Sequence, residues 1–266
     1  MTPDLEIVAS YIRDAARRFV LPRFERLATA DIREKSPGDL VTIADLETEQ
    51  ALTPLLRDLV PGSLVVGEEA AAADVEILQH LASEDAVWLI DPVDGTANFA
   101  AGLPMFAVMV AFVMRGEIAA SWIYDPTTDR MAITGWGTGA WLNGVRLRVA
   151  EPAEPGSMSG SMSIRFGNRQ LVRRIAGRSN LVGSVFSFRC AGHEYLALAS
   201  GRAHFALYHR LMPWDHAPGF LLHREAGGFG RRLDRSDYSP RTHDGGLLLT
   251  PDEASWEELY RVLLAK

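Results

Sequence analysis

Apolar positions recur every three or four residues at the start of the chain: Leu5, Val8, Ile12, Ala15 and Phe19. That spacing predicts an amphipathic helix. Thr2-Pro3-Asp4 supplies an N-cap, a proline at the first helical position and an acidic first turn, and Pro22 bends or ends the helix. A second helical pattern begins near Ala44, carries Ala51, Leu52, Leu55, Leu56 and Leu59 on one side, and stops at Pro61-Gly62. "SLVVGEE" (63–69) reads as a short strand ending in two glutamates, followed by a short helix over 75–81 and a buried strand over 87–90. From Phe106 to Val149 the pattern turns to β. Arg115-Gly116 and Asn143-Gly144 look like hairpin turns and Asp125-Pro126 marks another reversal, so an antiparallel meander is predicted. The Pro/Gly/Ser-rich "EPAEPGSMSG" (151–160) is the natural boundary between an N-terminal α+β lobe, 1–150, and a C-terminal α/β lobe, 151–266. In the second lobe strands and helices alternate: a helix near 192–200, a strand over 203–208, a helix over 214–225 and a closing helix after Pro251.

Bulk composition narrows the function. With 266 residues, 47% hydrophobic and 23% charged, the chain can bury a sizeable core as one large domain or two lobes. A net charge of −7 argues against a nucleic-acid partner, which calls for a basic face. A phosphorylated small molecule stays open, because a bound cation inverts the local field. Arg17-Arg18, Arg173-Arg174 and Arg231-Arg232 are scattered and make no basic stripe. Cys190 is the only cysteine, so a disulfide framework or thiolate metal site within the chain is excluded, as suits a reducing cytosol. Asp4 and Glu6 stand where a signal peptide carries positive charge, and no apolar run reaches a membrane-spanning length. A cytoplasmic protein with no membrane partner is expected.

The chemistry gathers in four acidic places: "DLVTIAD" with Asp39 and Asp45, "GEE" with Glu68 and Glu69, "WLIDPVDGTANF" with Asp91 and Asp94, and "PWDHA" with Asp215. Asp, Pro and Gly are also what an ordinary turn uses. Each place, however, lies at the end of an apolar strand or the start of a helix, where α/β folds build sites. Carboxylates about 4 Å apart repel by about 4 kcal/mol at an effective dielectric of 20, so a tight cluster calls for a cation or a proton. An all-oxygen donor set selects Mg²⁺, Mn²⁺ or Ca²⁺ over zinc. Gly95 permits close backbone approach, and its N–H and that of Thr96 could face a phosphate oxygen. "GWGTGA" (135–140) has the form of a dinucleotide fingerprint but sits in the β meander and leads into an Asn-Gly turn, so its context fails.

"GEE", "WLIDPVDGTANF" and "PWDHAPGFLLHREAGG", in that order, together with "KSPGDLVTIAD" (35–45), resemble the inositol monophosphatase family of metal-dependent, lithium-sensitive phosphatases. The resemblance implies a layered αβαβα sandwich of the sugar-phosphatase type shared with fructose-1,6-bisphosphatase. It also implies a homodimer and hydrolysis of a small phosphate monoester with two to three Mg²⁺ per site, Mn²⁺ being able to substitute. Carried over by motif, Glu68 and Asp91 with the carbonyl of Val93 hold the first metal. Asp91 bridges to a second, completed by Asp94 and Asp215. Thr96 with Asp45 orients and deprotonates the attacking water, beside Glu68. Glu69 supports from behind, and Lys35 sits on a mobile loop that closes near the phosphate. Gly95, Thr96 and Asp215 also face substrate.

The alcohol end departs from the family pattern. A sugar-binding glutamate usually stands six residues before the tryptophan of "WD"; here that place is Tyr208, followed by His209 and Arg210. Gly192, His193 and Glu194 fall where the family lines its alcohol pocket, and Ala97 follows Thr96 where threonine or lysine is commoner. Losing a hydroxyl partner costs discrimination. An inositol or sugar monophosphate comes first. Glu194 would admit the ammonium of histidinol phosphate, and the arginines a bisphosphate such as fructose-1,6- or adenosine-3′,5′-bisphosphate. A haloacid-dehalogenase-type phosphatase has one residue between its aspartates, whereas Asp91 and Asp94 have two between them. A regulatory binding protein that keeps the fold is the alternative from another class.

Overall fold

The computed structural model describes residues 3–36, 38–82, 86–163 and 169–264. Helix α1 (Leu5–Ala15) is capped by Asp4, whose carboxylate accepts the N–H groups of Glu6 and Ile7. The cap is thus Asp4; Thr2, named for it from sequence, lies outside the described residues. The helix runs on through a π turn and a short 3-10 turn containing Pro22 before it ends. A hairpin that the hydrophobic pattern did not announce follows, β1 (Ile32–Ser36) against β2 (Asp39–Thr42); its Pro37 is not described. Next come α2 (Ile43–Leu59), β3 (Leu64–Gly67), α3 (Glu68–Ala73), β4 (Ala86–Asp94) and α4 (Thr96–Ala100).

The predicted meander is β5 (Ala107–Met114), β6 (Glu117–Asp125), β7 (Arg130–Gly135), β8 (Gly139–Leu142) and β9 (Val145–Arg146). With β3 and β4 it forms a seven-stranded sheet in sequence order, antiparallel except between β3 and β4. The rest of the chain supplies β10 (Ser159–Ser163), α5 (Arg169–Ala176), β11 (Ser184–Phe186), α6 (Ala191–Ala199), β12 (Phe205–Tyr208), α7 (Pro213–Glu225), β13 (Phe229–Arg232), β14 (Leu247–Thr250) and α8 (Glu253–Leu263). Its five strands form a second sheet, β11-β10-β12-β14-β13, parallel among the first three and antiparallel beyond.

Strand alternation sorts the apolar side chains into layers. On β4, Trp88 and Ile90 face α1 and α2, packing with Val8, Ile12, Leu52 and Leu56. Val87 and Leu89 face the other way, toward Leu198 on α6 and Leu221 and Leu222 on α7. That middle layer is closed on its far side by Leu247 and Leu249 of β14, while Leu248 faces Trp256, Leu259 and Leu263 of α8. Two helices, a sheet, two helices, a sheet and outer helices give the layered αβαβα sandwich expected from the resemblance.

Candidate active site and metal centre

The two aspartates of "DPVD" sit on a β-bulge. Asp91 pairs with Met109 and Asp94 with Ala107, so three steps on β4 oppose two on β5. In a regular strand, side chains three apart point to opposite faces; the extra residue restores the parity and lets both carboxylates line one cleft. Pro92, which has no N–H to give a ladder, is tolerated there for the same reason. Gly95 follows with φ 86°, a left-handed conformation that turns the chain into α4.

Glu68, Asp215 and Asp39 also line this cleft, which holds about 500 Å³, while Asp45 is fully buried against Thr96. Glu68 starts α3, Asp215 lies in the first turn of α7 just after Pro213, and Asp45 lies in the first turn of α2. One oxygen each of Glu68, Asp91 and Asp215 fall within 4.8 Å of one another. Asp91 is 2% exposed, and its Oδ1 has no hydrogen-bond partner among the described residues. Burial, with Glu68, Asp94 and Asp215 alongside, pushes its pKa well above the carboxylate range. Asp215 is raised by burial and by Glu68 and Asp94, with Arg210 opposing the rise. Buried carboxylates with an unpartnered oxygen are costly unless a cation joins them, so this donor set fits a hard divalent ion.

Asp94 is held differently. Its Oδ1 accepts the N–H of Ala191 at 3.1 Å, and its Oδ2 accepts the N–H of Gly192 at 2.6 Å and the Cys190 thiol at 2.9 Å. The carboxylate therefore seats the N-terminus of α6, and it is not one of the three acids that converge most tightly. Gly192 serves that approach: a Cβ there would press on Ala107 and on Asp94 itself. The Val93 carbonyl accepts the Thr96 hydroxyl at 2.9 Å, and the same hydroxyl lies 3.2 Å from Asp45 Oδ1. Asp45 Oδ2 accepts the N–H and hydroxyl of Thr42. Burial raises the Asp45 pKa to about 7, with Thr42 opposing and Glu68 adding to the rise.

Lys35 lies on strand β1 of the hairpin, not on a loop, and bridges Glu68 at 2.6 Å and Glu69 at 2.9 Å. Burial opposes its charge, but Glu68 and Glu69 outweigh that and raise its pKa. Glu69 is itself raised to about 8 by burial and by Glu68. Sequence reasoning missed Glu49, which accepts the N–H groups of Glu69 and Ala70 and so caps α3. The signal was present: Glu49 stands one helical turn after Asp45 on α2. A Cβ on Gly67 would overlap the Glu49 carboxylate, so glycine is required before the two glutamates.

At the alcohol end, two expectations change. His193 bonds through Nε2 to the Phe106 carbonyl and, like Gly192, does not line the cleft. Glu194 is 2% exposed; its oxygens accept the Ser161 hydroxyl and the Phe188 N–H. The Tyr208 hydroxyl faces Glu194 and Ser161 without meeting hydrogen-bond geometry. Glu194 lines the cleft as expected, but its oxygens already accept hydrogen bonds from the wall, which weakens the argument for an ammonium-bearing substrate. Tyr208, Gly95, Thr96 and Asp215 do line the cleft, as does His216, while His209 does not. His216 bonds Tyr195 and the Arg210 carbonyl, and burial drives its pKa down to about 3, keeping the ring neutral.

A layered α/β sandwich with an acidic, oxygen-lined cleft at strand and helix ends defines a phosphatase fold of the metal-dependent class. The model of the inositol monophosphatase family matches residues 4–263, and the chain belongs to that family. Members are metal-dependent phosphomonoesterases that use divalent cations. The inositol-1-monophosphatase of Mesorhizobium japonicum is 34% identical over 215 residues, 79% of each chain. Nus factor SuhB of Escherichia coli (strain K12) is 31% identical over 235 residues, 86% of this chain and 84% of that one. The solved structure of the Thermotoga maritima IMPase superposes with a TM-score of 0.81 at 23% identity, over 97% of this chain and 96% of that one.

Proposed function

We propose that the protein hydrolyses a small phosphorylated metabolite, of the inositol or sugar phosphate class, with Mg²⁺ held by Glu68, Asp91, Asp215, Asp94 and the Val93 carbonyl. The observation that carries the reading is the convergence of Glu68, Asp91 and Asp215, with one buried oxygen of Asp91 left unpartnered. It lies in one cleft with Thr96, whose hydroxyl is 3.2 Å from the buried Asp45, and the cleft has the size of a small-molecule site. When bound, two to three Mg²⁺, or Mn²⁺ in their place, neutralise phosphoryl oxygens and lower the pKa of the attacking water.

The chain's own groups do the rest. The Thr96 hydroxyl is bonded toward Asp45 and Val93, so its lone pairs are free to accept a hydrogen bond from water. As the water oxygen bonds phosphorus, its proton passes to Thr96 Oγ1 and the hydroxyl proton to Asp45 Oδ1. The P–O bond to the alcohol breaks and the departing oxygen takes a proton from solvent. Asp45 is suited to this because its pKa lies near neutrality. Lys35 keeps Glu68 and Glu69 in place through its two ion pairs. The protein works in the cytoplasm as a homodimer on this reading.

The test is phosphate release from inositol-1-phosphate, histidinol phosphate, fructose-1,6-bisphosphate and adenosine-3′,5′-bisphosphate, with Mg²⁺ and with Li⁺ added. Mg²⁺-dependent release from at least one, suppressed by Li⁺, supports the reading; no release from any contradicts it. The name Nus factor carried by relatives favours a second reading, a regulatory binding role kept beside catalysis. A partner retained equally by wild type and an Asp94→Asn variant, with turnover lost only in the latter, marks such a dual role.

A further inference from the structure

The structure assigns to Tyr195 and His216 a positioning role: together they hold the first turn of α7 so that Asp215 stays aimed at the divalent cation. The assignment rests on the metal centre of the phosphatase reading above and adds to it two residues that act through Asp215.

Asp215 rides a helix start that the sequence leaves weak. Helix α7 begins Pro213-Trp214-Asp215-His216, with Met212 at the cap position, and among the described residues no side chain caps it. The free N–H groups of a first turn are ordinarily satisfied by such a cap, and without one the turn frays. Pro218, inside the helix, has no N–H to return to the Trp214 carbonyl, so the next turn gives less support than usual. Yet this start carries a carboxylate that Glu68 and Asp94 repel. A frayed turn would swing it out of the cluster it forms with Glu68 and Asp91.

A brace stands in place of the cap. His216 Nε2 lies 2.9 Å from the Arg210 carbonyl, and Nδ1 lies 3.0 Å from the Tyr195 hydroxyl. A carbonyl only accepts, so Nε2 carries the proton, Nδ1 accepts and the tyrosine donates. Both ring nitrogens are thereby used, in one tautomer and one orientation. The bond to Arg210 ties the segment entering α7 to the turn that follows it, and the bond to Tyr195 ties that turn to α6. Tyr195 reaches this point because the two helices approach closely at Gly219, where a Cβ would overlap the tyrosine ring. Tyr208 of β12 packs against both rings, 5.4 Å from Tyr195 and 4.6 Å from His216, and all three are buried. Removing either partner leaves a buried polar group unpaired, and the uncapped turn is the part most able to shift in response. Asp215 adjoins His216, so that shift is felt first at the metal centre.

The experiment is a paramagnetic titration of Mn²⁺ into the full-length protein, with thermal melts of the same samples. Wild type is expected to bind Mn²⁺, and His216→Leu, which loses both bonds, to bind it about tenfold more weakly. Tyr195→Phe removes one oxygen and keeps the ring packing. It should weaken binding about threefold or more, and it reads the brace even where the leucine variant does not fold. His216→Gln, whose amide both donates and accepts, should recover part of the loss. The double variant Tyr195→Phe with His216→Leu should bind no more weakly than His216→Leu alone, since the two bonds form one chain. His223→Leu is the control for general weakening: it lies on the same helix, away from the cleft, and should lower the Tm while leaving Mn²⁺ affinity unchanged. Wild-type Mn²⁺ affinity in Tyr195→Phe overturns the assignment, and so do equal losses in His216→Leu and His223→Leu. Absence of Mn²⁺ binding by wild type would instead overturn the metal centre on which the assignment rests.

Discussion

Thr96 and Asp45 carry the proton-transfer argument, and single substitutions there separate it from metal holding. Thr96→Ala and Asp45→Asn should each lower kcat by about 10²–10⁴-fold, read by phosphate release, while Mn²⁺ titration of Thr96→Ala stays close to wild type. A Thr96→Ala variant of undiminished kcat would remove Thr96 from the reaction. His223 governs a different property. Buried at 1% exposure, it bonds the Phe229 and Thr250 carbonyls through Nε2, and burial pushes its pKa down to about 4. The unfolded chain, with its histidine near 6.5, binds a proton first as pH falls, so stability present above pH 6.5 drains away toward pH 4. Between pH 7 and pH 5 that amounts to about 2 kcal/mol. Urea unfolding should show a steeper acid loss for wild type than for His223→Gln; identical pH slopes would contradict the assignment.

The elements around the site act through their ends. Glu49 and Gly67 seat the first turn of α3, which presents Glu68. Glu49→Ala leaves two N–H groups unpaired, a cost of about 1–3 kcal/mol per group, and should lower both the Tm and Mn²⁺ affinity. The β1–β2 hairpin reaches the same acids through Lys35, a cation that a divalent ion must displace or tolerate. Lys35→Met should therefore bind Mn²⁺ more tightly in a paramagnetic titration, and weaker binding would show that Lys35 helps build the site. Much of this was readable: "GEE", "DPVDGT" and "PWD" fell where an apolar pattern broke off. The hairpin was not, because β1 reads Ile-Arg-Glu-Lys-Ser and holds its place through ion pairs that no periodicity announces. Helix α2 misled in part. Its buried face carries Asp45, Thr48 and Glu49 ahead of Leu52 and Leu56, while Leu55 is exposed. His193 and Glu194 were placed in the pocket by motif position; His193 instead turns its ring to the Phe106 carbonyl, while Glu194 lines the cleft with its carboxylate bonded to Ser161 and Phe188.

Across the whole molecule, the two sheets and the middle helices bring together acids that lie up to 147 positions apart, from Glu68 to Asp215. Their mutual repulsion opposes folding until a cation joins them, so Mg²⁺ should raise the Tm. At one hundred times Kd the gain is about 2.7 kcal/mol, and a chelator should reverse it in a thermal melt. The layers themselves were legible because Val87 to Ile90 alternate between two apolar faces, whereas the pairing order of β13 and β14 had no local signature. The most direct measurement is anomalous diffraction from crystals grown with Mn²⁺. The account predicts a peak flanked by the carboxylates of Glu68, Asp91 and Asp215. Ordered crystals at saturating Mn²⁺ with no peak among those three side chains would contradict it.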